Sequence, residues 1–241
     1  MGGVMKTGRM KKGMTIAALA GLLLGTAPAA HAQAASGWRE RLETFAHDHF
    51  RHPAWGWQHS RRDYDLARTL ARSDGVALDD DVLFAAAFIH DIAAFAPWED
   101  KDPSHDHSDV GADKLGPVLL GLGFPAGKIE QVRTATRTHM FYRQASSPEA
   151  IYLHDADALD WLGALGVARI LATVEHGNPP PSPADPDAEP DLPHALATIE
   201  RNLAQVPPGI QSPSARIRAA ALVEEARGLL TRIRSEANGA L

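Results

Sequence analysis

Residues 79–91 read Asp79-Asp80-Asp81-Val82-Leu83-Phe84-Ala85-Ala86-Ala87-Phe88-Ile89-His90-Asp91. Asp79 and Asp80 stand where the N-cap and first-turn acids of a helix belong. The run that follows is apolar nearly all round, the pattern of a helix buried on every side. This stretch therefore predicts the central helix of a bundle, and it ends on a histidine and a carboxylate. Both are costly at the end of a buried helix unless something compensates them. A bound cation would compensate both; the C-terminal end of a helix dipole would account for the imidazole alone.

Outward from this centre the pattern stays helical. Helices are expected over residues 38–50, 57–72, 108–122, 125–139 and 147–176, the last broken near Gly163 or Gly166, and then over 194–206 and 212–237. In the final helix Ile217, Ala221, Val223 and Leu229 are the candidates for core contact. Residues 95–106 read as a polar loop, and the Pro-rich stretch 178–193 as an exposed loop, since proline excludes both helix interior and central strand. No strand pattern of useful length and no internal repeat is seen. The expected fold is an all-α, single-domain helical bundle with a Pro-rich loop before its last helices.

The 241 residues are 44% hydrophobic and 22% charged, which excludes disordered, collagen-like and multi-pass membrane chains. Residues 1–32 read as a secretory signal: Lys6, Arg9, Lys11 and Lys12, a short apolar run at 15–25, then Ala30-His31-Ala32 before Gln33. The expected mature domain is 33–241, secreted or periplasmic, with no stable membrane insertion after cleavage. The signal carries basic residues and no acids, so the mature chain is more acidic than the −6 of the whole sequence. That sign argues against binding nucleic acid through a basic face. There is no cysteine, so neither disulfides nor thiolate ligands are available. Any metal must be held by histidines and carboxylates, and the mature domain keeps all but one of the 12 histidines.

Three more histidines fall at helices or helix ends: His59 in Trp57-Gln58-His59-Ser60, His107 in His107-Ser108-Asp109-Val110, and His139 in Thr138-His139-Met140-Phe141. Asp157 and Asp160 follow three apart, on one helix face. Five elements on five helices is how a bundle assembles a metal site in its core.

At this point the sequence resembles the HD-domain metal-dependent phosphohydrolase superfamily, whose pattern is a His, a His-Asp pair and a later Asp on successive helices. Phe88-Ile89-His90-Asp91-Ile92 is similar to the family's apolar helix ending in His-Asp, and residues 155–169 to its closing Asp segment. The resemblance covers about residues 59–169, and the closing segment is similar to that of a small branch to which nucleotide pyrophosphatase activity is attributed. The resemblance implies that His59, His90, Asp91 and Asp157 are core metal ligands. In two-metal members His107 and His139 stand in the places of the added ligands. It further implies one or two divalent transition metal ions (Mn, Fe, Co, Ni or Zn), a choice that this donor set leaves open. Asp91, between two histidine sets, would bridge a pair.

The function this implies is hydrolysis of a phosphate ester or phosphoanhydride of a small phosphorylated molecule by metal-activated water, with Asp91 and His90 at the catalytic centre. A di-iron oxygenase on the same scaffold and a non-catalytic metal-binding module are the alternatives. Arg133 and Arg137, four apart on one helix, are substrate-binding candidates, with a solvated basic face as the other reading. Phe95 and Trp98 read as a lid or as core; Asp160 reads as a residue that orients a ligand histidine. His154 is placed at the surface or behind the ligands.

Overall fold

The computed structural model describes residues 27–173 and 192–239. Among them every regular element is helical: α1 (Ala27–His49), α2 (Trp57–Ser73), α3 (Asp80–Ile89), α4 (His107–Gly121), α5 (Ile129–Arg137), α6 (Pro148–Asp160), α7 (Gly163–Ala172), α8 (Leu192–Gln205) and α9 (Pro213–Ala237). The all-α bundle is as the sequence predicts. No helix among the described residues is long and apolar enough to cross a membrane.

α3 is the hub. Its Asp79 cap accepts from the backbone N–H groups of Asp81 and Val82, and every residue from Val82 to Ile89 is buried. α1, α2, α5 and α6 all pack on it. Trp38 closes the outer end, edge-on to Phe84 and Phe124. Arg39 of α1 ties the start of α3 through Asp80 and Asp81. With side chains this apolar on all faces, α3 is held by burial, and the bundle fixes where its last residues emerge.

Several boundaries differ from the expectation. α1 begins at Ala27, ahead of residue 38, and runs through the position after Ala32 where cleavage is expected. The helix before His139 ends at Arg137 and is preceded by a short 3-10 turn at Ala126–Lys128, so His139 sits just beyond it. The predicted break falls at Gly163, whose φ of +67° is the left-handed conformation that glycine adopts without strain. Most of the Pro-rich stretch lies outside the described residues; its last two, Leu192 and Pro193, form the first turn of α8.

α9 departs in register. Val223 is buried as expected, but Ala221 is exposed and Ile217 is 77% exposed, while Ala215, Ala219, Ala226 and Leu230 face the core. The helix packs on α7, where an added Cβ at Gly163 would come within 2.7 Å of Leu222, so close approach at that glycine helps decide which face turns inward.

Candidate metal centre

The six candidate ligands emerge from five elements, which converge on the end of α3. His59 lies in the first turn of α2, His90 caps α3 and Asp91 follows it; His107 opens α4, His139 follows α5, and Asp157 lies in α6. Close approach makes this possible at Gly111, where an added Cβ would come within 3.1 Å of the His90 carbonyl oxygen. Asp106 caps α4 by accepting from the Ser108 N–H, and it also accepts from Tyr142 and Arg143, which ties the loop after His139 to the start of α4.

The structure brings all six together. Asp91 Oδ2 lies 3.4 Å from His90 Nε2 and 3.7 Å from His59 Nε2, and its Oδ1 lies 3.6 Å from His139 Nε2 and 3.7 Å from His107 Nε2. Asp157 Oδ1 is 3.3 Å from His59 Nε2. A seventh residue that the sequence reading did not single out, Asp63, places Oδ2 3.1 Å from His59 Nε2 and 3.9 Å from His90 Nε2. The signal was available: Asp63 is four residues after His59, hence on the same face of α2. It stands in Arg61-Arg62-Asp63, which reads equally well as surface charge.

The ring orientations are fixed from behind. His90 Nδ1 is 2.9 Å from the Ala87 carbonyl, His139 Nδ1 2.6 Å from the Thr136 carbonyl, and His59 Nδ1 2.8 Å from Asp160 Oδ2. With the Nδ1 protons donated backwards, the Nε2 atoms of all three face the centre, where a metal would take their lone pairs. Asp160 is itself held by Arg62 at 2.7 Å and by Arg169 at 3.0 Å. Arg169 lies over the Trp161 ring at 3.9 Å and donates to the Ala54 carbonyl.

Buried polar atoms without partners are rare in folded proteins. Here His90 Nε2, His139 Nε2 and both oxygens of Asp63 are such atoms. Two overlapping groups have the spacing of a metal site, His59-Asp63-His90-Asp157 and His90-Asp91-His139. The residues present fit divalent metal ions: histidine nitrogens and carboxylate oxygens, orphaned, converging and oriented from outside.

Protonation follows the same crowding. Burial pushes the Asp63 carboxyl up to about 7. Burial would also raise Asp91, but His90 and His139 beside it hold it well below the usual carboxylate range. For His90, burial opposes the charged form; Asp91 more than offsets it and lifts the imidazole to about 10. Burial likewise works against Asp160, yet His59 and Arg62 keep it low.

Beside the centre is a cavity of about 830 Å³ into which Asp91, His107 and Asp157 open. Trp55, Met140, Phe141, Trp161, Ile170 and Val206 supply apolar wall. Arg133 and Arg137 are not part of it. Arg133 donates to the Ala112 carbonyl and Glu130, and Arg137 pairs with Asp109 and Asp113, so their charges tie α5 to α4. Phe95 stacks on Phe50 and Trp98 packs against Phe45, which places both in the core and not over the cavity. His154, expected at the surface or behind the ligands, is fully buried beside Asp155, which accepts the backbone N–H groups of Gln211 and Ser212.

No curated protein matches the chain. Among solved structures, a Lactobacillus plantarum protein superposes with a TM-score of 0.60 at 22% identity, over 86% of this chain and 98% of its own. Bacillus subtilis YpgQ in complex with ADP gives 0.58 at 18% identity, over 86% and 100%. A predicted HD superfamily hydrolase from an uncultured Thermotogales bacterium gives 0.50 at 22% identity, over 85% and 91%. These likenesses show the shared fold. The HD domain family model matches residues 56–162, the segment that contains all seven residues of the centre.

Proposed function

We propose that this chain is a metal-dependent phosphohydrolase that cleaves a phosphate ester or phosphoanhydride of a small molecule. The observation that carries the reading is Asp91, whose two oxygens face two different histidine sets beside an open cavity. One ion would be held by His59, His90, Asp91 Oδ2 and Asp157, with Asp63 adjacent, and a second by Asp91 Oδ1, His107 and His139. Bound ions would supply Lewis acidity that lowers the pKa of water from about 15.7 towards about 7 and would neutralise charge on a phosphoryl oxygen.

The chain's own residues do the rest. Asp160, the Ala87 carbonyl and the Thr136 carbonyl hold the three imidazoles as Nε2 donors. Asp91, His107 and Asp157 are the members of the centre that reach the cavity, so the phosphoryl group is presented from that side. The oxygen of water adds to phosphorus, the bond from phosphorus to the leaving oxygen breaks, and the proton of water ends on that oxygen. A small phosphorylated ligand accords with the ADP held by YpgQ, a structure of the same fold.

The test is elemental analysis of the purified protein, paired with hydrolysis of a generic phosphate ester after adding Mn, Co, Ni or Zn. About two ions per chain with metal-dependent turnover is the expected result. Retained iron with oxygen consumption and no hydrolysis would replace it with an oxygenase, and metal without either activity with a binding module.

Export is proposed on the sequence of residues 1–32 alone. Mass spectrometry of the protein secreted or exported by a bacterial host should find Gln33 as the first residue.

A further inference from the structure

Part of the wall of the cavity beside the metal centre comes from α8, outside the segment that matches the HD domain. α8 is amphipathic in the usual way on one side: Ala195, Leu196, Ile199 and Leu203 are buried in the core. Its cavity face is different. Thr198, Arg201, Asn202 and Gln205 all line the cavity, and their spacing of three, four and seven residues puts them on one face of the helix. A polar stripe therefore lines the same largely apolar chamber into which Asp91, His107 and Asp157 open.

Arg201 is the informative member. It is half-buried, and it donates from Nη2 to Thr198 Oγ1 at 2.9 Å. Among the described residues it has no carboxylate partner, in contrast to Arg133, Arg137 and Arg143 around the same centre. A guanidinium in a chamber of this kind, steadied by a neutral hydroxyl, leaves donors free for an anion. Asn202 and Gln205 flank it with amides, which donate and accept but carry no charge.

We propose that the substrate carries a second anionic group, remote from the scissile phosphate, and that Arg201 on α8 binds it while Trp55, Phe141 and Trp161 cover the body between. Arg201 is a specificity-determining residue in this reading: it selects substrates with two anionic ends and takes no part in bond cleavage. The proposal rests on the hydrolase reading only for the identity of the first end, the phosphate at the metal centre. A phosphate or a carboxylate at the far end has the required chemistry, and the test separates the two.

The experiment measures binding by calorimetry to the full chain loaded with Mn, using straight-chain alkyl phosphates of three to six carbons and the same esters ending in a carboxylate or a phosphonate. The wild type is expected to bind at least one doubly anionic ester about tenfold more tightly than its singly anionic parent. The ester that gains names the preferred end group. Arg201→Gln should abolish that gain and leave the parent esters within about twofold, and Arg201→Lys should restore part of it. The same split is expected in turnover, as a KM effect without a kcat effect. Equal weakening of all esters in Arg201→Gln, or a gain that survives the substitution, or no gain in the wild type, overturns the proposal. Failure of the hydrolase reading looks different: Asp91→Asn would then leave the binding and cleavage of the parent esters unchanged, whatever happens at Arg201.

Discussion

Asp160 Oδ2 lies 2.8 Å from Nδ1 of His59, although the two are 101 positions apart. The contact joins α6 to α2 behind the metal centre, and it sets which nitrogen of His59 faces inward. Asp160 is buried and shared by Arg62 and Arg169, so its carboxylate is fixed before any ligand arrives. Asp160→Asn keeps the shape but removes the charge that favours the Nδ1–H tautomer. Metal affinity should fall about 10- to 100-fold, as for other residues that hold a ligand histidine from behind. Competition against a fluorescent chelator reads this directly, and unchanged affinity would show that His59 needs no such support.

Asp91 is the member of the centre that both histidine sets share. Asp91→Ala should abolish metal-dependent turnover while leaving a helical, folded protein, because the side chain lies at the edge of the cavity and not in the apolar core. Elemental analysis and circular dichroism of the purified variant check the two halves of the prediction, and turnover equal to the wild type would remove the proposed centre.

Proton release should accompany metal uptake. In the metal-free protein His90 is held protonated up to about pH 10 by Asp91, and Asp63 is protonated below about pH 7 because it is buried. Both must lose the proton to offer a lone pair, so metal binds more tightly as pH rises and each displaced proton contributes up to about tenfold per pH unit. Calorimetric titration with Mn in two buffers of different ionisation enthalpy should show roughly one proton released at pH 8 and more at pH 6. A buffer-independent enthalpy at both values would contradict this arrangement.

Much of the centre is legible in the sequence because its residue types are expensive where they stand. A His-Asp pair closing an apolar helix needs a reason, and four further His or Asp residues at helix ends supply a common one. The supporting contacts are less legible. Arg133 and Arg137 share a helix face, as their spacing requires, but what ties them down lies on α4, the Ala112 carbonyl for Arg133 and Asp109 and Asp113 for Arg137, and nothing local announces that neighbour. The register of α9 is hidden for another reason: alanines at many positions leave almost no contrast between its faces, so Ile217 reads as core and is not. Arg201 is invisible in the same sense, since its meaning comes from a cavity that α8 shares with residues of the metal centre.

Gly111 offers a way to loosen one half of the centre. An added Cβ would stand 3.1 Å from the His90 carbonyl oxygen and 3.5 Å from Ile92 Cγ2, so α4 must move away from the end of α3. His107 rides at the start of α4, whereas His59 and Asp157 do not. Gly111→Ala should therefore lose one of two metal ions first, falling from about two per chain towards one. Retention of both, measured after dialysis, would mean that α4 absorbs the methyl group without shifting His107.

Asp63 gives the sharpest stability prediction. In the metal-free protein its carboxyl is fully buried, neither oxygen has a hydrogen-bond partner, and burial raises it from 3.8 to about 7. The folded state thus binds more protons than the unfolded state between those values. Its contribution to stability is present below about pH 4 and is lost as pH rises through about 7. Asp63→Asn removes the titration and should gain on the wild type across that window, by on the order of 2–4 kcal/mol for a shift of this size. With metal added the ranking should reverse, because the ion compensates Asp63 and an amide is the poorer partner. Urea denaturation at pH 4, 6 and 8, with and without Mn, measures both signs, and a variant less stable than the wild type in chelator at pH 8 would show that Asp63 is stabilised by something other than metal.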